Sequence, residues 1–458
     1  MQSNFVKPKS FFGDYMKQLI MSVLLSFGFS TALPQDMWKY FTPDDFAKRR
    51  SAVMEKIGDD IAVFLGAEMP EAYVKFRQDN TFYYLTGVEV PDAVLIINGK
   101  RRSSTLLVPE DIPNDIKEEA RFKPGKEAAA LYKVDRVLSR DQLTQSLGWT
   151  LVDAPTVYLY LAPEETAGMS PDRGYQTRME RIDDPWDGRV PKETNFANLI
   201  KQRFPEISVK DISPIIHRMR WVKDEKEIAV LSECGRIGAL GFNEAMKITK
   251  PGVYEYQLAA ACDFYYQYNG QQNPAFLPIA ASGERGLTWH YNANNHPLKS
   301  GDVVLLDYAP DLAYYVTDIT RTWPVNGTFD EYQSKMYECI KEARANIIAM
   351  MKPGVTYAEM QAVGKAAYEK HGFEKFWFGY VRHHVGMAVH DVGPRGEAFV
   401  PGVVFNVEPI IEDKEKKIHL RLEDTIVITA NGAEVLTGLT PVDAKEIKRL
   451  IDERGLFE

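Results

Sequence analysis

Residues 303–310 read VVLLDYAP and residues 314–322 read YYVTDITRT, and these two runs decide the fold of the second half of the chain. Both are apolar enough to predict strands, and the short segment between them predicts a hairpin turn. A turn centred between Leu312 and Ala313 would place Asp307 directly opposite Asp318. Opposed side chains of a sheet have Cβ atoms about 5 Å apart, so two like charges there predict a divalent cation between them. The alternative is that one aspartate bonds a neighbouring backbone group while the other reaches solvent.

The same pattern occurs again further along the chain. Residues 403–410 read VVFNVEPI, residues 418–427 read IHLRLEDTIV, and the polar run EDKEKK at 412–417 separates them. A turn centred between Glu415 and Lys416 places Glu408 opposite Glu423. Two hairpins that each bring two acids together weaken the explanation that these acids are solvated strand residues.

Residues 382–391, RHHVGMAVHD, lie between the two hairpins and contain three histidines. A lone histidine is more often structural than a ligand, but here three stand beside four acids. Burying four carboxylates costs several kcal/mol per charge unless they are neutralised, and two divalent ions would balance them. An oxygen-rich site with one imidazole suits Mn²⁺, Co²⁺, Fe²⁺ or Mg²⁺ better than thiolate-bound zinc. The sequence therefore predicts a two-metal hydrolytic centre.

Composition limits the class of protein. The 458 residues include 55 Lys and Arg against 64 Asp and Glu, a formal net charge of −9, and 45% are hydrophobic. This predicts a globular protein with room for two cores, and it argues against nucleic-acid binding through a general basic field. Three scattered cysteines are too few for a disulfide framework.

The two halves of the chain have different patterns. Residues 40–210 alternate strand-like runs (61–65, 93–97, 105–108) with helix-like segments, which predicts an α/β domain. Segments 110–128 and 163–193 are rich in Pro, Gly and charge and are predicted to be loops. The second half carries helical patterns at 222–247, 253–269, 330–351 and 356–371 together with hairpins, which predicts an α+β domain. We assign the domains to residues 36–212 and 213–458.

Residues 19–29, LIMSVLLSFGF, have the composition of a secretory signal. They follow a lysine, precede Ser30-Thr31-Ala32, and are too short to span a bilayer as a helix. Residues 1–32 are therefore predicted to be a signal peptide of a periplasmic or secreted protein, with no stable membrane insertion after its removal. The alternative is an N-terminal amphipathic helix on a cytoplasmic protein.

Several of these stretches together resemble a known family. Asp307, residues 318–327 (DITRTWPVNG), residues 383–391, residues 407–409 (VEP) and residues 421–424 (RLED) are similar, in order and spacing, to the five metal-ligand motifs of pita-bread metallopeptidases. Residues 76–87, FRQDNTFYYLTG, resemble the N-terminal domain that aminopeptidase P shares with some prolidases. The resemblance covers residue 40 to the C-terminus and implies an α/β N-terminal domain followed by an α+β pita-bread catalytic domain.

The resemblance also implies roles for individual residues. It implies metal ligands at Asp307, Asp318, His383, Glu408 and Glu423, with Asp318 and Glu423 bridging both ions. It implies substrate contacts from His290 and His390. Arg421 lies two residues before Glu423, on the same strand face, where it can orient the carboxylates. His384 is then a neighbour of the ligand. Many relatives carry a His-Gly pair four residues before the ligand histidine, whereas residues 379–382 here read GYVR.

The resemblance implies an exopeptidase that cleaves peptides with proline in second position. The expected cofactors are two divalent ions, with Mn²⁺ favoured, and the expected nucleophile is a water that bridges them. Glu408 is the expected proton shuttle, and His290 and His390 are expected to stabilise the oxyanion. A homo-oligomer, dimer or tetramer, is expected. The alternatives are a dipeptidase for Xaa-Pro, a metal-free creatinase-type enzyme, and an inactive peptide-binding module.

Overall fold

The computed structural model describes residues 39–457, except residues 72, 111–122, 153, 380–382 and 395. The predicted signal peptide at 1–32 and most of the sequence departure at 379–382 lie outside the described residues. No helix within the described ranges combines the length and the apolar character that a membrane span needs.

The N-terminal half contains a six-stranded mixed sheet in the order β4-β3-β2-β1-β5-β6. β1 and β2, and β2 and β3, are antiparallel, whereas the other neighbours are parallel. The strands are β1 (Ile61–Leu65), β2 (Val94–Asn98), β3 (Ser103–Val108), β4 (Arg136–Ser139), β5 (Thr156–Leu159) and β6 (Ser208–Asp211). The helices of this half are α1 (Pro43–Ile57), α2 (Asn80–Thr86), α3 (Lys126–Tyr132), α4 (Leu143–Leu151), α5 (Pro171–Asp183) and α6 (Lys192–Arg203). This confirms the predicted α/β class.

The prediction of a loop at 163–193 is wrong, because α5 occupies its centre. The sequence carried a start signal for this helix, since Ser170 stands at the N-cap and Pro171 at the first helical position. Tyr175, Met179 and Ile182 follow at helical spacing, but their side chains are exposed and form no core stripe. The loop prediction for residues 163–193 therefore followed their composition and overlooked a weak helical pattern.

The second half is an α+β unit, as predicted. Its helices are α7 (Ser213–Trp221), α8 (Glu225–Lys247), α9 (Glu255–Tyr268), α10 (Glu331–Met350), α11 (Tyr357–Lys370) and α12 (Ala444–Asp452). Its strands are β7 (Asn273–Pro274), β8 (Ile279–Ser282), β9 (Val303–Asp307), β10 (Pro310–Leu312), β11 (Tyr315–Val316), β12 (Ile319–Pro324), β13 (Val404–Val407), β14 (Ile410–Asp413), β15 (Ile418–Arg421), β16 (Glu423–Ile428) and β17 (Ala433–Val435). Short 3₁₀ helices lie at Arg140–Gln142, Gly283–Leu287 and Glu374–Phe376.

The main sheet of this half has the order β13-β16-β12-β9-β8, with β17 beside β16. Two smaller sheets, β11-β10-β7 and β14-β15, extend the hairpins beyond it. Capping boxes begin two of the long helices, at Asp224 for α8 and at Asp330 for α10. The sheet thus brings both predicted hairpins side by side.

The motif at residues 76–87 packs against the second half of the chain. Arg77 forms a buried ion pair with Asp311 at 2.7 Å, on the first hairpin. The backbone N–H of Gln78 donates to the hydroxyl of Tyr314, and the ring of Tyr83 stacks on the Tyr314 ring at 3.6 Å. One continuous hydrophobic core includes residues of both halves. The N-terminal half is therefore held at a defined position relative to the hairpins.

Candidate metal centre

The first hairpin does form, but with a register that differs from the prediction. Asp307 lies opposite Thr320, not Asp318, because the turn is centred between Ala313 and Tyr314. Both turn residues have positive φ, 49° and 71°, as a two-residue type I′ turn requires. Side chains two residues apart on a strand share a face, so Asp318 remains a diagonal neighbour of Asp307.

The second hairpin has the predicted register. Ile410 pairs with Arg421 in β14-β15, and Val407 pairs with Asp424 in β13-β16. The same register on both sides places Glu408 opposite Glu423. Both carboxylates are buried, with side-chain exposures of 5% and 2%.

His383 meets one carboxylate from each hairpin. Its Nε2 lies 3.3 Å from Oδ2 of Asp318 and 3.7 Å from Oε1 of Glu423. Ligand atoms of these three residues all lie within 4.8 Å of one another, which is close enough for a shared metal ion. His384 lies outside this group, where its ring packs edge-on against Phe405 and Trp221.

Arg421 connects the remaining two acids. Its guanidinium lies 2.6 Å from Oδ2 of Asp307 and 3.5 Å from Oε1 of Glu408. All three side chains are at least nine-tenths buried. Arg421 therefore occupies the orienting position that the sequence assigned to it. We call Asp307, Asp318, His383, Glu408 and Glu423 the carboxylate cluster.

The charge of the carboxylate cluster is not balanced by the protein. Burial, and after it the nearby charge of Glu423, raises the pKa values of Asp318 and Glu408 well above their ordinary range. Burial raises the pKa of Asp307 to about 7, although Arg421 opposes the rise. Burial lowers the pKa of His383 well below its usual range, so its imidazole is neutral at pH 7.

These residues fit divalent metal ions. Oδ1 of Asp307 and Oδ1 of Asp318 are buried and have no hydrogen-bond partner in the described part of the chain. Unpaired buried carboxylate oxygens are costly, and metal coordination is the usual compensation. Four carboxylates and one neutral imidazole are the donors that hard or borderline divalent cations prefer.

Asn406 was missed by the sequence analysis. Its Nδ2 lies 2.7 Å from Oε1 of Glu423, 2.8 Å from Nε2 of His383 and 3.3 Å from Oε2 of Glu408. Strand alternation could have found it, because it precedes Glu408 by two residues and so shares its face. Thr320, which also donates to Glu423 at 2.8 Å, could have been found in the same way.

His290 and His390 border a cavity of about 380 Å³ that reaches the carboxylate cluster. Asp307 and Asp318 line its buried end, and Phe276, Leu277, Ile279 and Val389 contribute apolar wall. The rings of His390 and His383 lie 4.2 Å apart. The two histidines are thus brought to the site as predicted.

The N-terminal half also contributes to this cavity, which the sequence analysis did not predict. Oδ2 of Asp172, in the first turn of α5, lies 2.7 Å from Nδ1 of His390. The guanidinium of Arg173 lies 3.1 Å from Nδ1 of His290. Contacts between residues more than a hundred positions apart have no local sequence signal.

Asp391, at the end of the same histidine-bearing segment, belongs to a different charge cluster. Its carboxylate lies 2.6 Å from Arg220 and 3.0 Å from Lys223, and Arg220 also pairs with Glu165 at 2.8 Å. All four side chains are at most 1% exposed. We call this set of two acids and two cations the paired cluster. Although burial opposes it, Lys223 and Arg220 lower the pKa of Asp391 to about 2.

Comparison with known proteins gives the same picture. Residues 229–430 match the model of metallopeptidase family M24, and residues 46–158 match that of the aminopeptidase P N-terminal domain. The chain is 30% identical over 445 residues to the Xaa-Pro aminopeptidase of Escherichia coli K12, which covers 89% of this chain and 97% of that protein.

Solved structures agree with the sequence matches. The structure of E. coli aminopeptidase P with the inhibitor Pro-Leu superimposes with a TM-score of 0.73, 26% identity and coverage of 90% of this chain and 98% of that one. A zinc-substituted form of the same enzyme in complex with product gives a TM-score of 0.74, 27% identity and the same coverage. The predicted two-domain architecture with a pita-bread second domain is confirmed.

Proposed function

The chain belongs to metallopeptidase family M24, with an aminopeptidase P N-terminal domain, and we propose that it removes the N-terminal residue from peptides whose second residue is proline. The observation that carries this proposal is the cavity beside the carboxylate cluster. It has buried acids at one end, two histidines on its sides and an apolar wall that suits a proline ring. The E. coli relative is a Xaa-Pro aminopeptidase by name and binds Pro-Leu in its solved structure.

We propose that the cofactors are two divalent ions, with Mn²⁺ favoured. Asp307, Asp318, Glu408, Glu423 and His383 would hold them, and two double charges would compensate the four acids. When bound, such ions supply Lewis-acid activation of water and of the scissile carbonyl. The donor chemistry supports this choice of ion, because a site with four carboxylates and one imidazole suits Mn²⁺.

The protein side chains position the reacting groups. Arg421 holds one oxygen of Asp307 and lies beside Glu408, so both carboxylates keep fixed orientations. Glu408 is the proposed proton shuttle, which takes a proton from the attacking water and gives it to the proline nitrogen that leaves. His390 is bonded through Nδ1 to Asp172, which leaves Nε2 to face the substrate carbonyl.

His290 completes the proposed oxyanion environment. Burial lowers its pKa, and the positive charges of Arg173 and Arg421 lower it further, so this imidazole is neutral at pH 7. A neutral imidazole can donate one N–H to a developing negative charge without forming an ion pair in the ground state. This arrangement stabilises the transition state more than the bound peptide.

A cleavage assay with Mn²⁺ present tests the proposal. Ala-Pro-Ala should release alanine, whereas Ala-Ala-Ala should not be cleaved. A dipeptidase would cleave Ala-Pro and leave Ala-Pro-Ala intact, and that result would overturn the proposal in favour of the Xaa-Pro dipeptidase. Turnover of neither proline peptide by metal-loaded protein would favour the inactive module.

We also propose that the chain forms a homo-oligomer, a dimer or tetramer. Tyr175, Met179 and Ile182 lie on one face of α5 with exposures of 45%, 53% and 64%, and at helical spacing they form neighbouring parts of an exposed apolar patch. This face supports contact between copies of the chain. Light scattering of the wild type and of the double variant Met179→Glu, Ile182→Glu tests it. A wild-type monomer at micromolar concentration would contradict the proposal.

Export is a further proposal, and only the composition of residues 1–32 supports it. N-terminal sequencing of protein from the native host tests it. A mature chain that starts at Leu33 is expected, and a chain that retains residues 19–29 would contradict the proposal.

A further inference from the structure

The cavity beside the carboxylate cluster has two ends of opposite character. Its buried end is lined by Asp307 and Asp318. The more exposed part of its lining includes Gly168 and Arg173, which come from the N-terminal half together with the buried Ser170. The N-terminal half therefore contributes to a cleft whose other lining residues belong to the catalytic half.

Arg173 brings a positive charge to the open end. Its guanidinium donates to Gln176 at 2.9 Å and lies 3.1 Å from the His290 ring, and both partners are uncharged groups. In the described part of the chain no carboxylate lies within ion-pair distance of it. The side chain is only half-buried, so a ligand can reach it from the cavity.

The neighbouring acid does not neutralise this charge. Asp172 accepts a hydrogen bond from Ser170 at 2.6 Å through Oδ1, and its Oδ2 lies 2.7 Å from His390. The side-chain partners of its two oxygens are therefore Ser170 and His390, and not the Arg173 guanidinium. The titratable groups that line the cavity are thus two buried acids, two histidines and one arginine, namely Asp307, Asp318, His290, His390 and Arg173.

We propose that Arg173 binds the C-terminal carboxylate of a short peptide substrate. This rests on the proposed function, because the N-terminus of the peptide must lie at the buried end. A planar guanidinium fork matches a carboxylate in two parallel hydrogen bonds. A cavity of about 380 Å³ lies near the lower limit for small-ligand sites, and so it suits a peptide of two or three residues. The enzyme is then specific for short peptides with a free carboxyl end.

Kinetics with three tripeptides test this assignment. Ala-Pro-Ala carries the terminal carboxylate, Ala-Pro-Ala amide lacks it, and Ala-Pro-Glu amide carries a carboxylate only on its side chain. Wild-type kcat/KM should be at least about tenfold higher for the free acid than for the amide, mainly through KM, as expected for a charge-assisted hydrogen bond. A preference shown only by the glutamate peptide would overturn the assignment to the chain terminus.

Variants locate the effect at Arg173. Arg173→Gln should reduce the acid-to-amide ratio to about one, and Arg173→Lys should restore part of it, because lysine keeps the charge but not the fork. Arg181→Gln is the matched control, since Arg181 is an exposed arginine of the same helix. An unchanged ratio in Arg173→Gln would overturn the proposal.

Calorimetry with the product analogues Pro-Ala and Pro-Ala amide gives a readout that needs no turnover. Tighter binding of the free acid to wild type, lost in Arg173→Gln, supports the carboxylate site even if no proline peptide is cleaved. Equal binding of acid and amide would overturn it. Failure of the proposed aminopeptidase activity and failure of this carboxylate site are therefore separate results.

Discussion

The carboxylate cluster and the paired cluster lie at the two ends of one segment, residues 383–391, and both are almost fully buried. The paired cluster matches two acids with two cations, and the pKa of Asp391 is lowered to about 2. The carboxylate cluster sets four acids against Arg421 alone, and the pKa values of Asp318 and Glu408 are raised. Equal burial with opposite pKa direction distinguishes a structural ion-pair network from a site that needs a ligand.

The largest effect is expected from a substitution that removes one acid of the carboxylate cluster. Asp318→Ala removes an acid that lies 3.3 Å from His383 and has an unpaired buried oxygen of its own, so metal binding should be lost with it. Loss of Lewis-acid stabilisation of several kcal/mol corresponds to a fall in kcat/KM of about 10³-fold or more. Peptidase assays and metal analysis measure both effects, with Glu338→Ala on the exposed face of α10 as control. Activity within about tenfold of wild type would contradict the role of Asp318.

The next largest effect is expected from a substitution that removes one acid of the paired cluster. Asp391→Ala leaves Arg220 and Lys223 buried with too little negative charge, which should lower the free energy of unfolding by about 3–5 kcal/mol. Urea denaturation measures this loss. Glu397→Ala is the matched control, because it removes the half-exposed ion pair with Arg218 and should cost at most about 1 kcal/mol. Similar losses in both variants would remove the distinction between the clusters.

A third prediction concerns pH in chelated protein. The pKa of Asp307 is raised from 3.8 to about 7, so between about pH 4 and pH 7 the folded state holds a proton that the unfolded state releases. The free energy of unfolding should therefore fall as pH rises through this window. The lowered pKa of Asp391 changes the free energy of unfolding in the opposite direction. Its stabilising contribution is present above about pH 4 and is lost as pH falls from about 4 to 2.

Thermal melts of the chelated and Mn²⁺-loaded protein check this pH dependence. The loaded protein should not lose stability between about pH 5 and pH 7, because metal binding competes with protons and strengthens as pH rises. A chelated protein whose melting temperature rises over the same range would show that the carboxylate cluster is balanced without metal.

The smallest expected effect comes from a change in the N-terminal half, at Asp172, which contacts His390 of the cavity. Asp172→Asn weakens the hydrogen bond to His390, a bond to a charged group that contributes about 1.5–3 kcal/mol, so kcat should fall at least about tenfold. Metal content should be unchanged, because the side-chain hydrogen bonds of Asp172 go to Ser170 and His390, which are not members of the carboxylate cluster. Loss of metal from this variant would place Asp172 in the cluster itself. Steady-state kinetics with Ala-Pro-Ala and metal analysis together measure both outcomes.

Residue spacing predicted the placement of the buried acids better than it predicted their surroundings. Glu408 and Glu423 were placed correctly because the polar run at 412–417 marks its own turn. Asp307 and Asp318 were displaced by one turn position, because Ala313 and Tyr314 adopt positive φ without the Gly or Asn that usually marks such a turn. Tyr314 is held in this turn by contacts to Gln78 and Tyr83 in the other half of the chain.

The positions of Asp172 and Arg173 beside the histidines of the cavity had no local sequence signal. The segment that carries them reads as loop by composition, and its helix has an exposed apolar face. Their positions depend on how the two halves dock, through contacts such as the Arg77–Asp311 ion pair. Sequence patterns report periodicity within an element, whereas docking depends on the complete fold.

Metal stoichiometry distinguishes the carboxylate cluster from the paired cluster most sharply. Protein purified without chelator, loaded with Mn²⁺ and freed of excess metal should contain two equivalents per chain, and Asp391→Asn should retain them. The acids of the carboxylate cluster, and not those of the paired cluster, should hold the ions. Fewer than one equivalent of metal in the wild type would contradict this assignment. Loss of metal from Asp391→Asn, while the wild type keeps its metal, would contradict it as well.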